Sequence, residues 1–240
     1  MKLLAFDTST ETMSVAVRAP GDGPLLACEA PGGAKASAEL IPAIQRLLAQ
    51  AGLRLHELDA IVFGRGPGSF TGLRTACAVA QGLGFGAGVP VLALDTLLAV
   101  AEDAHARTGA TQVLAVLDAR MGEVYAAGYE RTAEGWQTVS APALLSPRDV
   151  AVPPGWTVAG TGLDLLEADV TGGSPRVAAL PTAAALLRLA PAVLAAGPAH
   201  PAAEALPLYL RDKVAQTTEE RAAERARKDN LEGGSAAGKP

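Results

Sequence analysis

The feature that most constrains this chain is a phrase that it uses twice. Leu3-Leu4-Ala5-Phe6 is an apolar run ending in Asp7, followed by the polar turn Thr8-Ser9-Thr10 and a return in which Met13, Val15 and Val17 alternate with Ser14 and Ala16. An apolar run, a polar turn and a period-two return predict a β-hairpin. The same grammar recurs 111 residues on from Asp7, where Val113-Leu114-Ala115-Val116-Leu117 ends in Asp118, turns through Ala119-Arg120-Met121-Gly122 and returns over 124–129. Two copies of one hairpin make a candidate internal duplication.

Around the hairpins, strand and helix signals alternate. Leu40, Ile41, Ile44, Leu47 and Leu48 predict a helix over 39–51, with Pro42 in its first turn and Gly52 as its stop. Ala60-Ile61-Val62-Phe63 is a buried-strand candidate that runs into a glycine-rich loop, 64–72, and then a helix over 73–85. A strand is expected over 89–94, and Thr96 is placed to cap a helix through 106. Beyond the second hairpin, 157–159 reads as a strand and 182–196 as a helix that Pro191 kinks or interrupts. Both halves are α/β.

Composition narrows the function. A chain of 240 residues is long enough to bury about 70 to 75% of its extended surface. With only 4% aromatic residues, its core must rest on Leu, Val and close backbone approach. A formal net charge of −5 offers no cationic stripe, which argues against stand-alone binding of tRNA or DNA. Cys28 and Cys77 are isolated, so neither a disulfide framework nor a thiolate zinc site is suggested, and a reducing cytoplasm fits. The charge at Asp7 comes too early for a signal-peptide core, and no uninterrupted apolar stretch reaches membrane-spanning length. The stretch 211–232 carries six basic and six acidic residues ahead of a glycine-rich end, and reads as a helical or frayed tail.

Several chemistries fail on their residues. His56, His105 and His200 are scattered, without the helical spacing of a metal pair. Ser69 is no nucleophile elbow, because Pro67 and Thr71 stand where glycines are needed. The lone Gly238-Lys239 precedes Pro240 and opens no phosphate-binding helix, and Gly82-x-Gly84-x-x-Ala87 lies at the end of a helix with no strand before it. Two features stay open. Asp7, Thr8, Ser9, Gly66, Gly68 and Ser69 are candidate nucleotide- or anion-binding residues, since glycines ahead of a helix N-terminus can expose amide donors. Equally, the loop reads as a tight strand-to-helix turn capped by Ser69 or Thr71, and the Asp7 turn as a local Asx or Ser/Thr turn. The helices at 40–51 and 73–85 carry more apolar surface than one buried face requires, which reads either as a partner interface or as sandwiching inside the domain.

Three segments carry a resemblance. Leu4-Ala5-Phe6-Asp7-Thr8-Ser9-Thr10, the run from Gly64-Arg65-Gly66-Pro67-Gly68-Ser69-Phe70-Thr71-Gly72 to Leu73-Arg74, and Asp118-Ala119-Arg120-Met121-Gly122-Glu123-Val124-Tyr125 resemble the TsaB family. Pro207-Leu208-Tyr209-Leu210-Arg211 resembles its C-terminal signature, so the similarity extends over about 2–215.

The resemblance implies a duplicated actin-like ATPase fold of two lobes, shared with sugar kinases and Hsp70. It places an N-terminal lobe with partner-binding helices at 1–104, a C-terminal lobe at 105–215 and a charged, flexible tail at 216–240. It also implies a cytoplasmic, non-catalytic subunit of the bacterial machinery that forms threonylcarbamoyladenosine next to the anticodon of tRNAs reading codons that begin with A. The catalytic paralogue TsaD has a His-x-x-x-His metal pair where this chain has Thr96 and Val100. The implied partners are that paralogue, a TsaE-type ATPase, tRNA through the complex, and a second copy of the chain. ATP and metal ions belong to the partner subunits. Leu40, Ile44, Leu47, Leu73, Cys77 and Ala80 are expected at the partner interface, and Ala80→Arg is expected to break the complex while leaving the fold intact. The competing readings are a small-molecule kinase or ATPase of the same fold and a metallopeptidase.

Overall fold

Each Asp-ended run becomes the middle strand of a five-stranded sheet. The structure is a computed structural model and describes residues 1–19 and 25–211. The first sheet contains β1 (Leu3–Asp7), β2 (Thr12–Arg18), β3 (Leu26–Pro31), β4 (Ala60–Gly66) and β5 (Val91–Asp95), in the order β3-β2-β1-β4-β5. The second contains β6 (Gln112–Arg120), β7 (Glu123–Thr132), β8 (Gly135–Leu145), β9 (Thr157–Gly160) and β10 (Arg176–Val177), in the order β10-β9-β6-β7-β8. Read from the third strand of each, the two orders are the same. In both, the first three strands run antiparallel and the fourth and fifth are added in parallel. The duplication expected from the two hairpins is therefore a duplication of whole sheets.

The helices are α1 (Ala36–Gln50), α2 (Phe70–Ala87), α3 (Thr96–Thr108), the single turn α4 (Ala168–Thr171) and α5 (Ala183–Ala196). All five residues of β1 are buried because both faces of its sheet are covered. Leu4 and Phe6 pack with α1 and α2, while Leu3 and Ala5 pack with α5 and Ala99 of α3. In the second sheet Val113, Ala115 and Leu117 face Leu97, Val100, Ala101 and Ala104 of α3, and Leu114 and Val116 pack with Val150, Trp156 and Leu166. Alanines in α3 and α5 allow the close approach that a core poor in aromatic residues needs.

Several expectations are corrected. The boundary drawn between 104 and 105 runs through α3, and α5, assigned to the second lobe, packs on the first sheet. Residues 1–210 accordingly form one compact unit. α1 begins at Ala36, so Pro42 lies inside the helix rather than in its first turn, on the solvent side, where the lost amide bond is least costly. Pro191 likewise sits inside an uninterrupted α5. Thr96 is the first residue of α3 rather than its cap, and its hydroxyl serves another partner. The tail expected at 216–240 lies outside the described residues. Among the described residues no helix is long and apolar enough to cross a membrane.

Candidate functional site

The structure brings the six candidate nucleotide-binding residues together at the end of β1. Asp7 is fully buried, and its carboxylate accepts hydrogen bonds from Ser9 N (2.8 Å), Ser9 Oγ (2.5 Å) and Thr96 Oγ1 (3.3 Å). Burial pushes its pKa up to about 6, against the downward pull of these bonds. Thr96 Oγ1 in turn accepts from Gly66 N at 3.1 Å. The glycine loop is fastened to the same turn. Thr8 Oγ1 donates to Gly72 O (2.7 Å), Ser69 N donates to Ser9 O (2.7 Å), and Ser69 Oγ caps α2 by accepting from Gly72 N.

The glycines are there for this closeness. A Cβ on Gly64 would lie 1.7 Å from Asp7 Oδ2, one on Gly68 2.6 Å from Ser9 Cβ, and one on Gly72 1.8 Å from Thr8 O. Gly66 also has a φ of 116°, a conformation that side chains disfavour. The Ser9, Thr8 and Thr96 hydroxyls and the Gly66 and Ser69 amides, the groups a phosphate would use, are already bonded within the protein. These donors are therefore engaged inside the protein. They form a joint between β1, the loop after β4 and the start of α3.

Asp118 repeats the position of Asp7 but not its surroundings. It is half-buried, accepts from Arg120 N at 2.7 Å and pairs with the Arg120 guanidinium at 3.2 Å. Arg120 and Met121 adopt left-handed conformations (φ 66° and 58°), which turn the Arg120 side chain so that it also pairs with Glu11. The turns of the two hairpins thus meet through an ion pair. At the two positions that the resemblance sets against a metal-binding pair, Thr96 is bonded to Asp7 and Val100 is a core residue.

The six residues expected at the partner interface all point inward. Leu40, Ile44, Leu47, Leu73, Cys77 and Ala80 are between 0 and 6% exposed, and all but Leu73 belong to the cluster that packs α1 and α2 on the first sheet. Burial pushes the Cys77 thiol up to about 11, as suits a core side chain. Ala80→Arg would place a guanidinium in this core, so it tests folding rather than docking. The outward face is made by residues outside those six. Ile41 of α1 is 41% exposed and Phe85 of α2 is 67% exposed, with Ala78 and Gly82 also exposed on α2. The available signal was the offset of Ile41, Ala78 and Phe85: each lies one residue away from a stripe spaced three and four apart, Leu40-Ala43-Ile44-Leu47 and Leu73-Ala76-Cys77-Ala80-Gly84.

Two sheets of one topology, with α3 and α5 between them and a joint at the first aspartate, define a protein of the duplicated actin-like fold. A family model described as TsaD, tRNA N6-adenosine threonylcarbamoyltransferase, matches residues 33–161. The chain is 37% identical over 226 residues to the tRNA threonylcarbamoyladenosine biosynthesis protein TsaB of Escherichia coli K12, covering 90% of this chain and 96% of that protein. It is 34% identical over 232 residues to the TsaB of Haemophilus influenzae, covering 89% and 95%. The solved structure of YeaZ from Pseudomonas aeruginosa superposes with a TM-score of 0.78 at 39% identity, over 87% of this chain and 99% of that one. The chain belongs to the TsaB family, also called YeaZ.

Proposed function

We propose that this chain is a non-catalytic subunit of the assembly that forms threonylcarbamoyladenosine next to the anticodon of tRNAs reading codons that begin with A, and that it acts by binding the catalytic TsaD-type paralogue. The observation that carries the binding reading is the exposure of Ile41 and Phe85 on the two helices that cover the first sheet. Large apolar side chains held outward on rigid helices suit a helix-to-helix contact. The joint at Asp7 supports the non-catalytic part, because its hydroxyls and amides serve internal bonds rather than a substrate. On this reading the TsaE-type ATPase, the nucleotide, the metal ion and the tRNA meet the assembly through other subunits, in the cytoplasm, and a second copy of the chain competes for the same face.

The test is affinity for the purified paralogue. Ile41→Asp and Phe85→Asp should each weaken binding about 30-fold, equivalent to about 2 kcal/mol. Both should leave the isolated chain folded, because both positions are exposed. In a reconstituted tRNA-modification assay the paralogue should lose activity without this chain and regain it on addition. Unchanged affinity in both variants would refute the binding reading. ATP turnover by the isolated chain would favour a kinase or ATPase instead, and chelator-sensitive proteolysis a peptidase.

A further inference from the structure

Residues 198–210 follow α5 and run as a strap back over the first half of the chain. His200 exchanges two backbone bonds with Val91, both 2.8 Å, on the outer edge of β5. Gln81 Nε2 of α2 donates to Ala205 O (3.1 Å), Leu208 N donates to Arg65 O (2.7 Å), and Arg74 Nε donates to Tyr209 Oη (3.2 Å). Ala202 and Ala205 are buried in the same cluster as α1 and α2. Gly84 has no side chain where the Ala202 methyl sits, since a Cβ there would lie 2.8 Å from it. The strap is therefore built into the layer that covers the first sheet, with α2 packed against both it and α1.

Its inner residues are buried, and two outer apolar ones are exposed. Leu206 is 64% exposed and Tyr209 44% exposed. With Ile41 and Phe85 they make up four of the eight large hydrophobic side chains exposed among the described residues, all on this one layer. Tyr209 also packs on Phe70 (centroids 5.4 Å apart), and the Arg74 guanidinium lies 3.7 Å over the Phe70 ring. These side chains are held in place before any partner arrives, which lowers the ordering cost of a contact.

We infer that the strap is the third element of the docking face, and that Leu206 and Tyr209 contact the catalytic paralogue alongside α1 and α2. The inference rests on the binding reading above. The occupant follows from continuity with that face and from the family-model match, which spans both α1 and α2. The strap lies along α2 through Arg74, Gln81 and Gly84, so a partner seated on α1 and α2 meets it on the same layer.

The experiment is a titration of the full-length chain with the purified paralogue, run beside thermal unfolding and sedimentation of the chain alone. Leu206→Asp should weaken binding about tenfold or more while leaving the unfolding midpoint unchanged, as expected of an exposed position. Tyr209→Ala should act in the same direction. Should Leu206→Asp lower the midpoint, Leu206→Gln takes its place with the same expectation. Wild-type affinity in the strap variants, with binding still weakened by Ile41→Asp, overturns the inference and leaves the binding reading standing. Wild-type affinity in the strap and helix variants alike overturns both. Loss of self-association with paralogue affinity untouched assigns the strap to a second copy and overturns the inference.

Discussion

Asp7 is a buried carboxylate whose described hydrogen-bond partners are all uncharged, and its energetics follow from that. Its pKa is raised from 3.8 to about 6, so the folded state binds this proton more tightly than the unfolded chain does. The resulting stabilisation is fully present below pH 3.8 and is lost as the pH rises through about 6, an effect of about 3 kcal/mol. Asp7→Asn should remove it. Urea titrations of the two proteins at pH 4 and pH 7 should show their difference in unfolding free energy shifting by most of that amount in favour of the wild type at the acid end, and parallel pH profiles would refute the account. The residues of this joint were legible in the sequence, but their role was not. Glycines and hydroxyls ahead of a helix are what an anion cradle requires, and also what a close backbone approach requires. Only the partners of Thr8, Ser9 and Ser69, contributed from 64 and 60 residues away in the chain, decide between the two.

α2 shows how much an element's face depends on its neighbours. Gly82 and Gly84 are two residues apart, yet a Cβ on Gly82 meets nothing within 4 Å, while one on Gly84 meets Ala202 Cβ at 2.8 Å and Val89 O at 3.0 Å. Gly82→Ala should therefore stabilise the isolated chain by about 0.5 to 1 kcal/mol through helix propensity. Gly84→Ala should destabilise it by about 1 to 3 kcal/mol through overpacking against the strap. Chemical denaturation of both variants checks the pair, and equal effects would mean that the strap does not pack there. The sequence gives α2 its existence through the glycine loop and the apolar repeat, but not this asymmetry, because Ala202 is 118 residues downstream of Gly84. Periodicity also passed over β3 and β8. Both are third strands at a sheet edge, and the middle of β8 (137–141) is exposed throughout, so no alternation of buried and exposed positions marks it. Pro142 and the irregular pairing of β8 with β7 protect this long edge from further pairing.

At the scale of the molecule, the duplication is plain in sequence while the division into lobes is not, because the chain crosses back after completing its second sheet. α5 covers Leu3, Ala5, Ala16, Ala60, Val62, Leu92 and Leu94 on one face of the first sheet, and Ala202 and Ala205 complete the cluster on the other. The crossing is fixed by buried polar contacts. Thr182 caps α5 by accepting from Ala185 N and also donates to Asp103 of α3, while Ala183 N donates to Ser14 Oγ of β2. Glu102, buried at the middle of α3, accepts from Arg188 of α5, Arg131 of β7 and the Trp136 indole of β8. Removing that carboxylate would leave two half-buried guanidiniums and an indole N–H without their acceptor, a loss of several kcal/mol. Residues 1–104 expressed alone should therefore fail to fold cooperatively, since the face that α5 covers would be open to water. They should bind a hydrophobic dye and lack a sharp unfolding transition, and adding residues 105–211 in trans should restore both helix content and cooperativity. A cooperative transition in the 1–104 fragment alone would show that the first sheet is stable without α5, and that the crossing serves to join the halves rather than to complete them.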